Sequence, residues 1–549
     1  ITNGGLYAFN LQLSSILTPK NSKQAHSPEN ENSEDWFKAE HTELETLSTK
    51  FDDVAIKDVK AAGHYIGHGM FHYRVKVDKL KARLCYDGSR QNPDSYDEIA
   101  ASVLRYTTAR MLMMKGVHHG NAVHTADVES AFLQRKCKRP FYMYYPSGYG
   151  KPGRCMQWNY MLYGRKDSPI EWLRCCTEFF ASIGLIQNPV DPSVWTLKGN
   201  TPDQDLDVGV FVDDFCYQGP ADKIAWFERH ISKNWPVKLL GSVVGQQYLG
   251  MDVKIDQKTR ILKINQRTAL QKFVKSQGLC AAKPRRTPMD SKTKLVRVKG
   301  PCTNPALQTA FRKIVGALMH FAVVSRPDIA WCAVALSRCQ GNPSELQLKL
   351  AQQVARYLAS SIDRDLTYDC SGDLMSTFIC ASDANWAEND DSTSTSGNVA
   401  FLGGAAISWL CSTQHCVAHS SCESEYIALD SMGREVEYLF MLLKSLHFKP
   451  KQPVRILEDN QSAIAMTAGC INHKRSKHIT LRYHYIRQLV KMQIITVQYQ
   501  PGTVQPADLL TKPLPREAFE LHSAVVMGNH PQFRIGIDPI SRYLSVSNG

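Results

Sequence analysis

No apolar run in this 549-residue chain approaches the roughly 20 residues a helix needs to cross a bilayer. No basic-then-apolar leader opens it either. No membrane partner is therefore expected. Cysteine is not scarce, at 16 residues, but it lacks the spacing of a disulfide framework. Cys175 and Cys176 are adjacent and many others stand singly in apolar runs, which points to buried thiols in a reducing compartment. Zinc-ligand spacing is missing as well. Cys411, His415, Cys416, His419 and Cys422 crowd together but match no common zinc motif, and they straddle an expected strand end and helix start. Acidic residues are in deficit, 52 against 65 Lys plus Arg. The net charge of +13 has the sign suited to a polyanionic partner, though many basic proteins bind no nucleic acid. An initiator Met is also missing: the chain opens at Ile1, as expected of a piece of a longer precursor or of an incomplete reading frame.

What is present is ordinary globular composition at a length that suits two or three domains. The polar stretch Asn21 to Ser33 reads as a linker, and Ser33-Glu34-Asp35-Trp36 opens a helix running through Leu44 and Leu47. Alternation predicts a basic strand pair at Tyr73–Val77 and Lys81–Cys85. Helices are predicted near 99–115 and 168–182, and strand–turn–strand over Leu206 to Tyr217. Lys283 to Lys299 carries seven basic residues and two prolines, an exposed connector suited equally to solvent or to a phosphate backbone. Helices follow near 305–323, 327–340 and 344–360. From 376 the predicted order is strand, strand, strand, helix, strand, helix, helix, strand, helix, with a domain boundary near 372.

Two separated acidic sets stand out. Asp127 falls near the end of the strand Ala122–Ala126, and Asp213-Asp214 sits at the tip of a hairpin. An Asp-Asp pair is common in turns, but burying adjacent acids between apolar strands without a cation is costly. The second set is Asp383, Glu425, Asp459 and Asp508. Ser420 and Glu423 fit a capping box, which gives Glu423 a structural task and leaves Glu425 on another helical face. Asp459 and Asp508 precede or open helical turns, where an N-terminal cap is the plainer explanation for either taken singly. Hard carboxylate oxygens in two groups suit paired Mg²⁺ ions, with substrate phosphates and water completing the shell.

Context makes the pattern specific. Glu34-Asp35-Trp36 with Glu43-Leu44, Lys81-Ala82-Arg83-Leu84, Asp127-Val128-Glu129-Ser130-Ala131-Phe132-Leu133 and Leu162-Tyr163-Gly164 occur in that order. Ser168-Pro169-Ile170-Glu171-Trp172, Phe211-Val212-Asp213-Asp214, Tyr248-Leu249-Gly250-Met251 and Ser325-Arg326-Pro327-Asp328-Ile329 follow. Near the end come Ser-Thr-Ser-Gly, Leu-Gly-Gly-Ala and Ile-Ser-Trp within 394–409, Asp-Asn-Gln-Ser-Ala at 459–463, and Ala-Asp-Leu-Leu-Thr-Lys-Pro-Leu-Pro at 507–515. Over about residues 34 to 520 the chain resembles the reverse transcriptase–ribonuclease H region of copia-type (pseudovirus) LTR-retrotransposon polyproteins.

That resemblance implies an α/β (α+β) fold: a right-hand fingers–palm–thumb polymerase followed by an RNase H-like mixed-sheet domain. The expected division is 1–33 extension, 34–275 fingers and palm, 276–372 thumb and connection, 373–520 RNase H and 521–549 tail. It further implies RNA-directed DNA synthesis and cleavage of the RNA strand of the hybrid. Two Mg²⁺ ions per site would be held by Asp127, Asp213 and Asp214 and by Asp383, Glu425, Asp459 and Asp508, with Mn²⁺ a possible substitute. Arg83, with Lys81 second to it, would face the incoming triphosphate, Tyr163 its sugar, and Phe132 would exclude a 2′-hydroxyl. The implied partners are template RNA, DNA primer and product, RNA–DNA hybrid and dNTPs, with a tRNA primer and an integrase from the same polyprotein. The implied setting is a cytoplasmic virus-like particle. A basic run, His473 to Ile479 continuing through Arg482, His484 and Arg487, would grip hybrid phosphates, unless it is a solvated helix. Two departures touch the nucleotide pocket: Cys85-Tyr86-Asp87-Gly88 replaces the usual Val-Ala-Arg-Gly, and Arg165-Lys166-Asp167 the usual Leu-Lys-Gln. The rival expectation is an inactive or host-retained copy that only binds nucleic acid or scaffolds a particle. It would keep basic grooves without needing all seven acids. A nuclease alone is the third.

Overall fold

A computed structural model describes residues 18–75, 79–469 and 480–529, with backbone alone at 480, 481 and 483. The structure is mixed α/β. Its N-terminal part is a four-stranded sheet ordered Phe51–Ala55, Arg154–Tyr160, Lys136–Tyr144, Ile66–Gly67, beside the two-stranded ribbon Gly69–Val75 and Leu80–Tyr86. The helix Ser33–Leu47 buries Trp36 and Leu47 against this ribbon. The stretch Asn21–Ser33, expected to be a linker, instead carries the helical turn Ser22–Ala25. Its N–H of Gln24 is capped by Asn21, and Ala25 is buried in the same core as Trp36.

The next sheet has six strands, ordered Val237–Ser242, Ala122–Val128, Asp214–Gly219, Leu206–Phe211, Val194–Leu197, Ile186–Gln187. Behind it runs the helix Tyr106–His119, buried without interruption from Thr108 to Val117, including the charged Arg110 and Lys115, which find partners inside. This helix starts later than the predicted 99–115. Leu104 donates its N–H to the Val210 carbonyl, and Arg105 is extended, so the preceding chain docks onto the sheet instead of coiling.

A four-stranded sheet (Gln247–Tyr248, Met251–Asp256, Ile261–Asn265, Leu366–Asp369) and the helices Arg267–Ser276, Pro305–Val324, Ala330–Ser337 and Glu345–Ser360 form the middle. The Ser-Arg-Pro-Asp motif is its knot. Arg326, wholly buried, donates two hydrogen bonds of 2.8 Å to Asp328, and Tyr357 donates a third. A buried charge pair is tolerable only when saturated in this way. Within the basic connector, Arg297 pairs with Asp390 and Asp391 and Arg285 with Asp290, so these two charges are spent internally.

The last sheet is ordered Ala405–Thr413, Thr395–Leu402, Ile379–Asn385, Val454–Glu458, Ile495–Tyr499. The first three strands are antiparallel and the last two join in parallel, with the helix Ser421–Ser445 packed across them. The element order predicted from 376 onward is the one found. The final helix, Arg516–Val526, runs past residue 520 and buries Val525 and Val526, so ordered structure continues beyond that expected limit. His473 to Ile479 lie outside the described residues. Among the described residues no helix is long and apolar enough to cross a membrane.

Candidate active sites

Asp127 and Asp214 are direct cross-strand partners in the six-stranded sheet, and the N–H of Val128 donates to the Asp213 carbonyl at 2.9 Å. The hairpin tip thus folds back over the end of the Ala122–Val128 strand. The tip is strained: Val212 has φ 56, a left-handed conformation that a β-branched residue rarely adopts. Its carbonyl accepts a 2.6 Å hydrogen bond from the indole N–H of Trp172, which is itself buried against Trp235. The Ile-Glu-Trp motif on the 168–182 helix therefore holds the acidic turn in place.

Burial, then Asp213 and Asp127, raises the Asp214 carboxyl to about 7. Burial and then Asp127 raise Asp213 too, against the lowering pull of Arg83. Three acids at one sheet end with so little positive charge of their own suit a divalent cation. They are not packed as tightly as the second set, described below.

The nucleotide-pocket candidates form a stack beside these acids. Lys81 and Arg83 alternate with the buried Ala82 and Leu84, so both project from the other face of their strand. The Arg83 guanidinium lies 4.1 Å over the Tyr163 ring, and Tyr163 and Phe132 have ring centroids 4.9 Å apart. Lys81 and Arg83 both lower Glu43, whose carboxylate accepts the Leu84 N–H, but burial outweighs them and leaves it raised. Tyr163 is fixed by its own turn. Its carbonyl accepts the Tyr86 N–H at 2.7 Å, and Gly164, at φ +88, lies where a Cβ would be 2.1 Å from the Tyr86 carbonyl oxygen. The two departures from the family pattern meet here: Arg165 makes a two-pronged bond to Asp167 and lies 5.6 Å over Tyr86. The substituted residues thus pair with one another.

At the second centre, Asp383, Glu425 and Asp459 each offer an oxygen within 4.8 Å of the others. Among the described residues this is the acidic group compact enough to hold a metal ion. Asp383 lies within the strand Ile379–Asn385, and its partner across the sheet is Gly397. A Cβ on Gly397 would strike Thr511, Leu510 and Ala507 at 2.6–2.9 Å, so glycine there lets the 506–510 turn settle beside Asp383. Ser420 caps the N–H of Glu423, while the Glu423 carboxylate takes the N–H of His419, which leaves Glu425 to face the acids.

Asp508 stands next to this triad. It faces Asp383, which raises it, and is held by Lys512, whose Nζ is 2.7 Å from Oδ1. Burial, then Asp383, Glu458 and Asp459, drives Glu425 far above the carboxylate range, and one of its buried oxygens has no partner. Burial, then Asp383, raises both Asp459 and Asp508.

Sequence reasoning missed four neighbours. Glu458, fully buried, is a fifth carboxyl raised by burial and by Asp383 and Asp459. Thr511 donates its hydroxyl to Asp383. Lys512 feels Asp383, Asp508 and Asp459 together. His522 is pushed down to about 4 by burial and then Lys512. The Thr-Lys-Pro motif was the available signal for the middle two.

Residues 54–291 match the family described as reverse transcriptase (RNA-dependent DNA polymerase). Over 462 residues the chain is 31% identical to the retrovirus-related Pol polyprotein from transposon TNT 1-94 of Nicotiana tabacum, a match covering 82% of this chain and 34% of that protein. It is 30% identical over 455 residues to the corresponding polyprotein from transposon RE1 of Arabidopsis thaliana, covering 81% and 30%. The chain thus spans about a third of the length of these relatives. A foamy viral protease-reverse transcriptase solved with dsDNA aligns at 12% identity and a TM-score of 0.43, over 90% of this chain and 97% of that one. Residues 54–291 thus carry the match to the reverse transcriptase family. Over about four fifths of its length the chain is similar to retrotransposon Pol polyproteins.

Proposed function

We propose that the chain is an RNA-directed DNA polymerase with an attached ribonuclease H, extending a primer along template RNA with dNTPs and then cleaving the RNA strand of the hybrid. The reading is supported by two carboxylate groups at the ends of two different sheets, the first beside a cation–aromatic stack. Asp127, Asp213 and Asp214 would hold Mg²⁺ in the first centre, and Asp383, Glu425, Asp459 and Asp508 in the second, with Mn²⁺ able to replace it. Bound there, the ions would neutralise phosphate charge and favour ionisation of the attacking 3′-hydroxyl or water.

The chain's own residues supply the rest. Arg83, flat on Tyr163, offers a planar cation along the triphosphate. Lys81 adds charge on the same strand face. Phe132, braced by Tyr163, would leave no room for a 2′-hydroxyl. Trp172 keeps the Asp213-Asp214 turn from relaxing. The same reading includes a tRNA primer, an integrase from the same polyprotein and synthesis in a cytoplasmic virus-like particle, on the family likeness.

Extension of a primed RNA template by the full chain with Mg²⁺ tests the proposal. Synthesis that falls by at least about a hundredfold in D127N and in D213N is expected. Hybrid binding with neither extension nor cleavage in the unaltered chain would overturn it in favour of a binding or scaffold protein.

A further inference from the structure

The four acids of the second centre are not equivalent. Three converge, while the fourth is already engaged by a cation of the chain. Asp383, Glu425 and Asp459 bring oxygens within 4.8 Å of one another. Asp508 points its Oδ1 at the Lys512 ammonium, 2.7 Å away and one helical turn further along the chain. This is no loose surface pair, since the Asp508 side chain is only 10% exposed and Lys512 38%. The segment carrying both is locked down. Thr511, completely buried, donates its hydroxyl to Asp383, and the 506–510 turn sits against Gly397 with no room for a side chain between them. Lys512 cannot leave the centre without giving up a partner whose other neighbour, Asp383, is also an acid.

We propose that Lys512 makes the cation positions of this centre unequal: Asp383, Glu425 and Asp459 form the tight position, and Lys512 competes with a divalent ion for Asp508. This rests on the reading of the centre as a divalent-metal site. A fixed unit charge in van der Waals reach of a carboxylate opposes a second cation strongly at a partly buried position. Lys512 acts here as a positioning residue. It sets how much free metal the centre needs before both positions fill.

The test is an Mn²⁺ titration by electron paramagnetic resonance on the full chain carrying D127N, D213N and D214N, which removes the carboxylates of the first centre. Two classes of bound ion are expected. K512Q should tighten the weaker class by about tenfold and leave the tighter within about twofold, while K512R should behave as lysine does. D508N should abolish the weaker class, a second route to the same assignment. Unchanged or weaker binding in K512Q, with the tight class still lost in D459N, overturns the role of Lys512 alone. Mn²⁺ binding indifferent to D459N overturns the metal reading, and this proposal with it.

Discussion

Asp214 carries a cost that a cation would remove. Its carboxyl is raised from 3.8 to about 7, so between those values the folded chain holds a proton that the unfolded chain has released. The stability it contributes is therefore complete below about pH 4 and is lost as the pH rises through about 7. In EDTA, D214N should match the unaltered chain near pH 4 and exceed it in urea denaturation near pH 8, and Mg²⁺ should narrow the gap. A stability difference that does not change with pH would contradict this. Phe132 yields a second prediction. Replacing it with alanine should lower the preference for dNTP over rNTP, measured as a ratio of kcat/KM, by at least about tenfold. A parallel fall in both would mean that the ring serves packing alone. At this scale the grouping of Asp383, Glu425 and Asp459, and the pairing of Asp127 with Asp214, were legible from the ordered set of motifs around them. Glu458 was not: an acid directly before Asp459 reads as an ordinary neighbour until the parallel strands bring it beside Asp383.

The hairpin between Leu206–Phe211 and Asp214–Gly219 shows how an element keeps a strained residue in register. Val212 holds a positive φ because the flanking strands are paired on both sides and Trp172 grips its carbonyl. W172F keeps most of the buried ring and deletes the donor. It should cost about 1 kcal/mol of stability and slow primer extension more than it weakens template binding. Equal extension rates in W172F would show that the turn holds itself. The strand–turn–strand pattern was readable from alternation and from the paired aspartates. The start of the 106–119 helix was not, because what stops it at Arg105 is docking of Leu104 onto Val210, a contact more than a hundred residues away in the chain. The turn Ser22–Ala25 was missed for a similar reason: its polar sequence conceals one buried alanine beneath Trp36.

Across the whole molecule, one continuous core runs from the 106–119 helix, behind the sheet of the first centre, through the middle helices to the last sheet, while the Trp172 side of that sheet packs in a core of its own. Arg110 is its hub. The guanidinium is almost fully buried, donates to the carbonyls of Val324 and Ile407, and lies 4.3 Å over Trp409. Trp409 in turn donates to Ala322 at 2.8 Å. R110L would strand these carbonyls, and a loss of about 3 kcal/mol in chemical denaturation is expected. The change in element order near 372 could be read, but not the tightness of the packing around Arg110, since no local pattern marks an arginine on a buried helix as tying the last sheet to the rest.

The two acidic centres should nevertheless separate in their chemistry. The decisive measurement follows one doubly labelled primed RNA template with Mg²⁺, scoring DNA extension and RNA cleavage in the same tube for the unaltered chain, D213N and D459N. The account predicts both activities in the unaltered chain, cleavage without extension in D213N, and extension without cleavage in D459N. Loss of both activities in either variant while the fold is retained, or full extension by D213N, would contradict it.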